Sequence, residues 1–311
     1  MALTEFSLIQ RFFTQQAVQN SSTQMGIGDD CALLSFPAGY QLAVTTDTMV
    51  ENVHFFAGAD PKTLGHKLLA VNLSDLASMG AKPVSVTLAL TLPEVNEAWL
   101  HAFSKGFLAL AEKYQVDLIG GDTTSGPLTL TVQAMGLVPT GQALLRSKAK
   151  PGDLIYLTGS LGEAGLGLKI NQGYVCAHPE QALQHFNQPE PQVKAGLALL
   201  GLANACIDLS DGLASDLGHI LERSQVGACV DWVSLPLSTE VLTYIQDTGD
   251  WSMPLTAGDD YELCFTIPPE HVNALTIPCT QIGVIESQPG LRIKKSGIIQ
   301  PFSSKGYEHF S

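Results

Sequence analysis

Residues 205–217 read Ala-Cys-Ile-Asp-Leu-Ser-Asp-Gly-Leu-Ala-Ser-Asp-Leu, and no other run constrains the chain as tightly. A short apolar strand ends in two carboxylates, Asp208 and Asp211, beside Ser210 and Gly212, after which Leu213, Leu217 and Ile220 mark one face of a helix. One carboxylate at a helix N-terminus is a good cap, but several crowded together repel one another unless a cation sits among them. The device recurs along the chain. Asp29-Asp30 follow Gly26-Ile27-Gly28, Asp47 lies in Thr45-Thr46-Asp47-Thr48, and Asp75 ends Asn72-Leu73-Ser74-Asp75. Asp122 sits in Gly120-Gly121-Asp122-Thr123-Thr124, and Asp259-Asp260 follow Gly258. Nine of the sixteen aspartates therefore fall in Gly-, Ser- or Thr-rich turns that the pattern sets at strand ends or helix boundaries.

Any one of these motifs alone is an ordinary turn or helix cap. Together they ask for Mg²⁺, a hard cation that takes oxygen ligands and keeps positions for water and substrate phosphates, and for several such ions. The net charge of −14 argues against a nucleic-acid surface, which needs clustered Lys and Arg. Rival chemistries are missing from the pattern: there is no GxxxxGK[ST], no GxSxG and no HExxH. Gly159, Gly162, Gly165 and Gly167 line a strand-to-helix turn that is not GxGxxG, and tight helix packing is the reading preferred over phosphate contact. His54 is the one histidine of eight beside a motif acid, and Arg146 stands near the domain junction, where a fork-shaped cation can grip phosphate; His54 reads equally as a surface or packing histidine and Arg146 as a plain surface arginine. The six cysteines lack CxxC or zinc spacing and read as reduced, mostly buried small hydrophobes. No run of about 18 uncharged apolar residues and no basic leader occurs, so the expected setting is the cytoplasm, with no membrane contact.

At 311 residues two domains are expected. Phe6, Ile9, Phe12 and Phe13 predict a short amphipathic helix; strands are expected over 33–36 and 41–46, the second delivering Thr45, Thr46 and Asp47 at its end. Helices follow over 62–79 and 95–114, with strands over 84–90, 116–119 (leading straight into Gly120-Gly121-Asp122) and 128–138. The basic, turn-rich segment 145–153 marks the boundary, expected at 147/148. Residues 173–191 read as a polar, proline-bounded excursion, and 228–231, 263–267 and 280–285 as strands of a second sheet. The fold class is α/β with mixed sheets, in two domains.

The motifs Gly26-Ile27-Gly28-Asp29-Asp30-Cys31-Ala32, Thr45-Thr46-Asp47-Thr48, residues 72–81, Gly120-Gly121-Asp122-Thr123, Ile207-Asp208-Leu209-Ser210-Asp211-Gly212-Leu213 and Asp260-Tyr261-Glu262-Leu263 together resemble the thiamine-monophosphate kinase family. The resemblance runs over essentially the whole chain. It implies the two-domain fold shared with aminoimidazole ribonucleotide synthetase and selenophosphate synthetase, with N-terminal domains that dimerise through an intersubunit β-barrel. It implies direct, in-line transfer of the ATP γ-phosphoryl to thiamine monophosphate, giving thiamine diphosphate and ADP, with no catalytic base because the acceptor phosphate is already ionised. By motif, Asp30, Thr45, Thr46, Asp47, Asp75, Asp122, Asp208 and Asp211 would ligate Mg²⁺, with Asp47, Asp122 and Asp208 acting on catalysis through metal. Tyr114, Gly121, Asp122, Arg146 and Ser210 would hold ATP; His54, Asp259 and Tyr307 would face the thiamine end. Where the family reads Gly-Gly-Glu-Asp-Tyr-Glu this chain has Ala257-Gly258-Asp259-Asp260-Tyr261-Glu262, so a shorter acid replaces a glutamate. The implied division is 1–147 for metal, ATP and dimer formation and 148–311 to complete the substrate site. The alternatives are another ATP-using synthetase of the aminoimidazole ribonucleotide type and a non-catalytic nucleotide-binding regulator.

Overall fold

The computed structural model describes residues 5–14 and 17–303. The chain forms two compact units, one comprising the residues up to Leu76 together with Ala81–Gly141, the other Ala77–Gly80 with everything from Gln142 onward.

In the first unit α1 (Glu5–Phe13) precedes β1 (Thr23–Met25), β2 (Leu33–Leu34) and β3 (Tyr40–Val50). These are followed by α2 (Pro61–Ser78), β4 (Lys82–Leu92), α3 (Glu97–Tyr114), β5 (Asp117–Ser125) and β6 (Thr129–Pro139). The four long strands make one sheet in the order β3-β6-β4-β5, antiparallel except for the β4–β5 pair, whose crossover is α3. The segment 33–36 shrinks to a two-residue strand that pairs with β1, not with β3. Thr45–Asp47 lie in the middle of β3 rather than at its end, and Asp122 lies inside β5, because the β6 and β4 ladders carry both strands through their polar motifs. β3 exposes about half of Tyr40, Leu42 and Val44 on one face, an unusual amount of apolar surface for one edge.

α2 and α3 cover the sheet with their backbones almost touching. A Cβ on Gly106 would stand 1.9 Å from the Lys62 carbonyl oxygen, and one on Gly65 would stand 2.3 Å from the Phe103 carbonyl oxygen. That approach buries Leu64, Leu68, Phe103 and Phe107 completely or nearly so, with the Trp99, Phe103 and Phe107 rings stacked along α3 at 5.0 and 6.2 Å.

The second unit contains β7 (Leu154–Leu157), α4 (Glu163–Asn171), α5 (Glu180–Asn187), α6 (Val193–Ala198), β8 (Ala205–Asp208) and α7 (Leu213–Ser224). It continues with β9 (Gly227–Asp231), α8 (Thr239–Thr248), α9 (Met253–Thr256), β10 (Leu263–Ile267), β11 (Thr280–Glu286), β12 (Gly290–Lys295) and β13 (Ile298–Pro301). Its seven-stranded sheet runs β13-β12-β9-β11-β7-β10-β8, with β12–β9 its parallel pair. Leu213, Leu217 and Ile220 of α7 pack into a core with Ile155, Ile207, Val230 and Ile285. The polar excursion at 173–191 contains a helix, α5, that sequence periodicity missed; it is held by two buried side chains, Ala182 and Phe186. Of the six free cysteines only Cys206 and Cys264 are buried, while Cys31 is exposed and the rest are half-buried, fewer inside than expected.

Candidate active site

In the first unit the sequence-predicted acids fall into two groups. Thr45 and Asp47 share the face of β3 turned to α2, where the Thr45 hydroxyl donates to the Asp75 carboxylate. Asn72, fully buried one turn before Asp75, accepts the Asp47 backbone N–H at 3.2 Å while its own amide donates to the Leu68 carbonyl at 3.0 Å. Thr46 lies on the opposite, exposed face of β3. Across the sheet, Asp47 stands in one row with Val132, Leu88 and Gly121, and Thr48 in the next row with Thr131, Ala89 and Asp122. Three interstrand spacings, about 14 Å, therefore separate the Asp47 group from Asp122.

The second group lines a cavity of about 510 Å³ on the β5 side of the sheet. Asp29 and Asp30 come from the Ile27–Asp30 turn, Gly120, Gly121 and Asp122 from β5, and the apolar wall from Ile9, Phe13, Leu88, Leu90, Leu118 and Ile119. Gly121 is needed there: a Cβ would stand 1.8 Å from the Leu88 carbonyl oxygen, so the strand carrying Asp122 closes on β4 only without a side chain. Asp29 and Asp30 are exposed, and Asp29 spends one carboxylate oxygen on the Asp30 N–H at 2.8 Å. Tyr114, at the end of α3 with Lys113 over its ring at 5.5 Å, is not part of this cavity's lining. His54 turns inward on its own loop, its Nδ1 accepting the Val50 N–H at 3.0 Å.

In the second unit Asp208 is buried at the end of β8, and Asp211 and Asp216 meet at the start of α7, where the Asp216 carboxylate accepts the Asp211 N–H at 3.1 Å. Burial, and then the Asp208 charge, push the Asp216 pKa up to about 8, against the Asp211 N–H and the Arg146 guanidinium, which lower it. Arg146 is thus close enough to be felt by this acid cluster, and its carbonyl accepts the Ser224 hydroxyl at 2.8 Å. Asp259 adopts a left-handed conformation (φ 69°), donates its N–H to the Ser210 carbonyl at 2.9 Å and accepts the Tyr261 hydroxyl at 3.0 Å, so Asp259 and Ser210 form one surface. Tyr307 lies outside the described residues.

Asp260 and Glu262 are structural. Asp260 is buried and accepts the N–H groups of Gly162 and Ala164 at 2.8 and 3.2 Å, capping α4 from a distant loop. The glycine-rich turn therefore has its acceptor already, a carboxyl group whose pKa burial pushes up to about 8 against the two N–H bonds that lower it. Glu262 is buried against Thr158, whose hydroxyl donates to it at 2.5 Å and accepts the Leu263 N–H at 2.8 Å. Burial pushes the Glu262 pKa up to about 7, opposed by hydrogen bonds from Thr158 and Gln192 and reinforced by Glu190. Because this folded-state pKa lies above the unfolded one, the group favours folding below about pH 4.5, and that contribution is lost as pH rises towards 7. Asp216 and Asp260, both raised to about 8, lose stability over the same window in either protein, so we expect urea unfolding to report a loss that is smaller by on the order of 2–3 kcal/mol in Glu262→Gln than in wild type. An identical slope in the variant would assign the effect elsewhere.

Two supports lie inside the quoted motifs but carried no role in the sequence reading: Asn72 and Asp216, which act through hydrogen bonds to motif backbones. The donors gathered are hard oxygens, the set Mg²⁺ prefers. Among the described residues no three His, Cys, Asp or Glu side chains are grouped closely enough to hold a metal ion by themselves.

Residues 28–138 match the AIR synthase related protein N-terminal domain, and residues 150–295 match its C-terminal domain. The chain is 47% identical to thiamine-monophosphate kinase of Haemophilus influenzae, over 100% of this chain and 99% of that protein. The crystal structure of thiamine-monophosphate kinase from Stenotrophomonas maltophilia K279a is similar with a TM-score of 0.85 and 44% identity, covering 94% of this chain and 97% of that one. AaThiL complexed with AMPPCP and TMP is similar with a TM-score of 0.81 and 28% identity, covering 100% and 99%. With a two-domain α/β fold whose two parts match both AIR synthase related domains, and with this identity to thiamine-monophosphate kinases along its full length, the chain belongs to the thiamine-monophosphate kinase family of AIR synthase related proteins.

Proposed function

We propose that this protein transfers the γ-phosphoryl group of ATP to the phosphate of thiamine monophosphate, giving thiamine diphosphate and ADP. The observation that carries this reading is the full-length likeness to thiamine-monophosphate kinases, one of them solved with AMPPCP and TMP. The acceptor oxygen is ionised at neutral pH, so no side chain need act as base or nucleophile, and the chain's work is to hold two anions in line.

Mg²⁺ would be held by Asp30, Thr45, Thr46, Asp47, Asp75, Asp122, Asp208 and Asp211, and when bound it supplies neutralisation of phosphate charge. Gly121, Asp122, Arg146, Ser210 and Tyr114 are assigned to ATP, and His54, Asp259 and Tyr307 to the thiamine end. In this division residues 1–147 carry metal, ATP and the dimer contact, and 148–311 complete the substrate site. The exposed Tyr40, Leu42 and Val44 row on β3 supports a homodimer, since a second copy would bury it. No helix among the described residues is long and apolar enough to cross a membrane, in keeping with a cytoplasmic setting. The test is one reaction with ATP, Mg²⁺ and thiamine monophosphate in which ADP and thiamine diphosphate are followed together. Equimolar products, lost on chelation, support the reading; ADP without thiamine diphosphate sinks it in favour of another acceptor.

A further inference from the structure

Asp117 opens β5, five residues before Asp122, and belongs to none of the glycine-, serine- or threonine-rich motifs. It is 3 % exposed, and its carboxylate is occupied by one distant stretch of chain. The Gln19 N–H donates to one oxygen at 2.6 Å; the Asn20 N–H and the Thr23 hydroxyl donate to the other at 3.1 and 2.7 Å. The Asn20 side chain adds bonds to the Val84 carbonyl at 3.0 Å and to the Gln115 carbonyl, so the same stretch is also tied to β4 and to the residues just before β5. Thr23 begins β1, which runs directly into the turn carrying Asp29 and Asp30. That turn and Asp122 line one cavity.

We infer that Asp117 is a positioning residue for the phosphoryl-transfer site: one buried carboxylate fixes residues 19–23 to the strand that presents Gly121 and Asp122, and so sets Asp29 and Asp30 opposite Asp122. The inference rests on the function proposed above, in which Asp30 and Asp122 hold Mg²⁺. The bonds explain why an anion is needed at residue 117. All three groups are donors, two of them backbone N–H groups that no side-chain change can remove, and water has little access to replace the acceptor. Asparagine keeps one acceptor oxygen and turns an NH₂ towards a donor, which frees residues 19–23 while preserving shape.

The experiment compares wild type, Asp117→Asn, Thr23→Val and Arg292→Ala. Arg292 pairs with Glu286 at 2.6 Å in the second unit, so its loss is a stability control in the unit that does not contain the turn. Two readouts are taken: amide hydrogen exchange of residues 19–30 in the protein without nucleotide, and the Mg²⁺ concentration giving half-maximal thiamine diphosphate formation. For Asp117→Asn we expect exchange at 19–30 to quicken by about tenfold or more, and the Mg²⁺ requirement to rise about tenfold, the scale of losing one or two charge-assisted bonds. Turnover at saturating Mg²⁺ and KM for thiamine monophosphate should stay within about twofold, since neither is set by this anchor. Thr23→Val, which removes a single donor, should move both readouts the same way by less and carries the test if Asp117→Asn fails to fold. Arg292→Ala should move neither. The inference is overturned if Asp117→Asn and Thr23→Val leave both readouts where Arg292→Ala leaves them, or if KM for thiamine monophosphate rises as much as the Mg²⁺ requirement. Absence of thiamine diphosphate formation by wild type would instead count against the proposed function, with exchange at 19–30 still reporting on the anchor.

Discussion

Asp122→Asn is expected to lower thiamine diphosphate formation by about 10²–10³-fold at saturating ATP and thiamine monophosphate, the scale of losing one preorganised charge at a transferring group. The side chain is exposed at the cavity wall, so its shape-preserving replacement leaves the unfolding free energy within about 0.5 kcal/mol of wild type. What changes is the charge. Asparagine still offers one oxygen, so metal enters more weakly and excess Mg²⁺ recovers part of the loss but not all of it. Steady-state kinetics over a Mg²⁺ series, alongside a denaturant titration, separates this from a folding defect. Wild-type turnover in the variant would remove Asp122 from the metal set and with it the reading of the cavity.

Gly106→Ala is expected to cost about 3 kcal/mol of stability, the upper part of the usual range for overpacking. The added methyl would stand 1.9 Å from the Lys62 carbonyl oxygen and 2.8 Å from its carbonyl carbon. These are backbone atoms inside a helix, which cannot step aside as a flexible side chain does. α2 must retreat from α3, opening the packing around Phe103 and Phe107, whose side chains are fully buried. Calorimetry should place the melting temperature about 10 °C below wild type. By contrast Gly218→Ala, on α7 with open space around it, should be neutral or slightly stabilising. Equal melting temperatures for Gly106→Ala and wild type would mean that the two helices do not approach as described.

The sequence carried the helices whose apolar residues recur at three and four, such as α3, expected over 95–114 and found at Glu97–Tyr114. It misjudged elements whose stability comes from elsewhere. Gly and Asp are poor strand residues, so β5 was expected to stop at Ile119; pairing with β4 carries it to Ser125. α5 was hidden because two buried side chains in a polar segment give no recognisable period. The acids themselves stand out in the sequence because they sit in small, glycine-rich motifs. Their supports do not: Asn72 reaches Asp47 across 25 residues and Asp117 reaches Thr23 across 94, distances over which local pattern says nothing. Asp260 shows the converse error, a motif acid whose work is to cap a helix nearly a hundred residues away.

That cap bears on how glycine-rich turns are interpreted in other chains. The Gly162 and Ala164 N–H groups at the head of α4 have the makings of a phosphate cradle, yet the protein fills the cradle with a carboxylate of its own. A nucleotide arriving there would have to evict a buried, covalently attached competitor whose local concentration never falls. Vacancy, rather than the presence of donors, is therefore the property that separates a phosphate-binding turn from its look-alike, and it is decided by a residue far away in the chain.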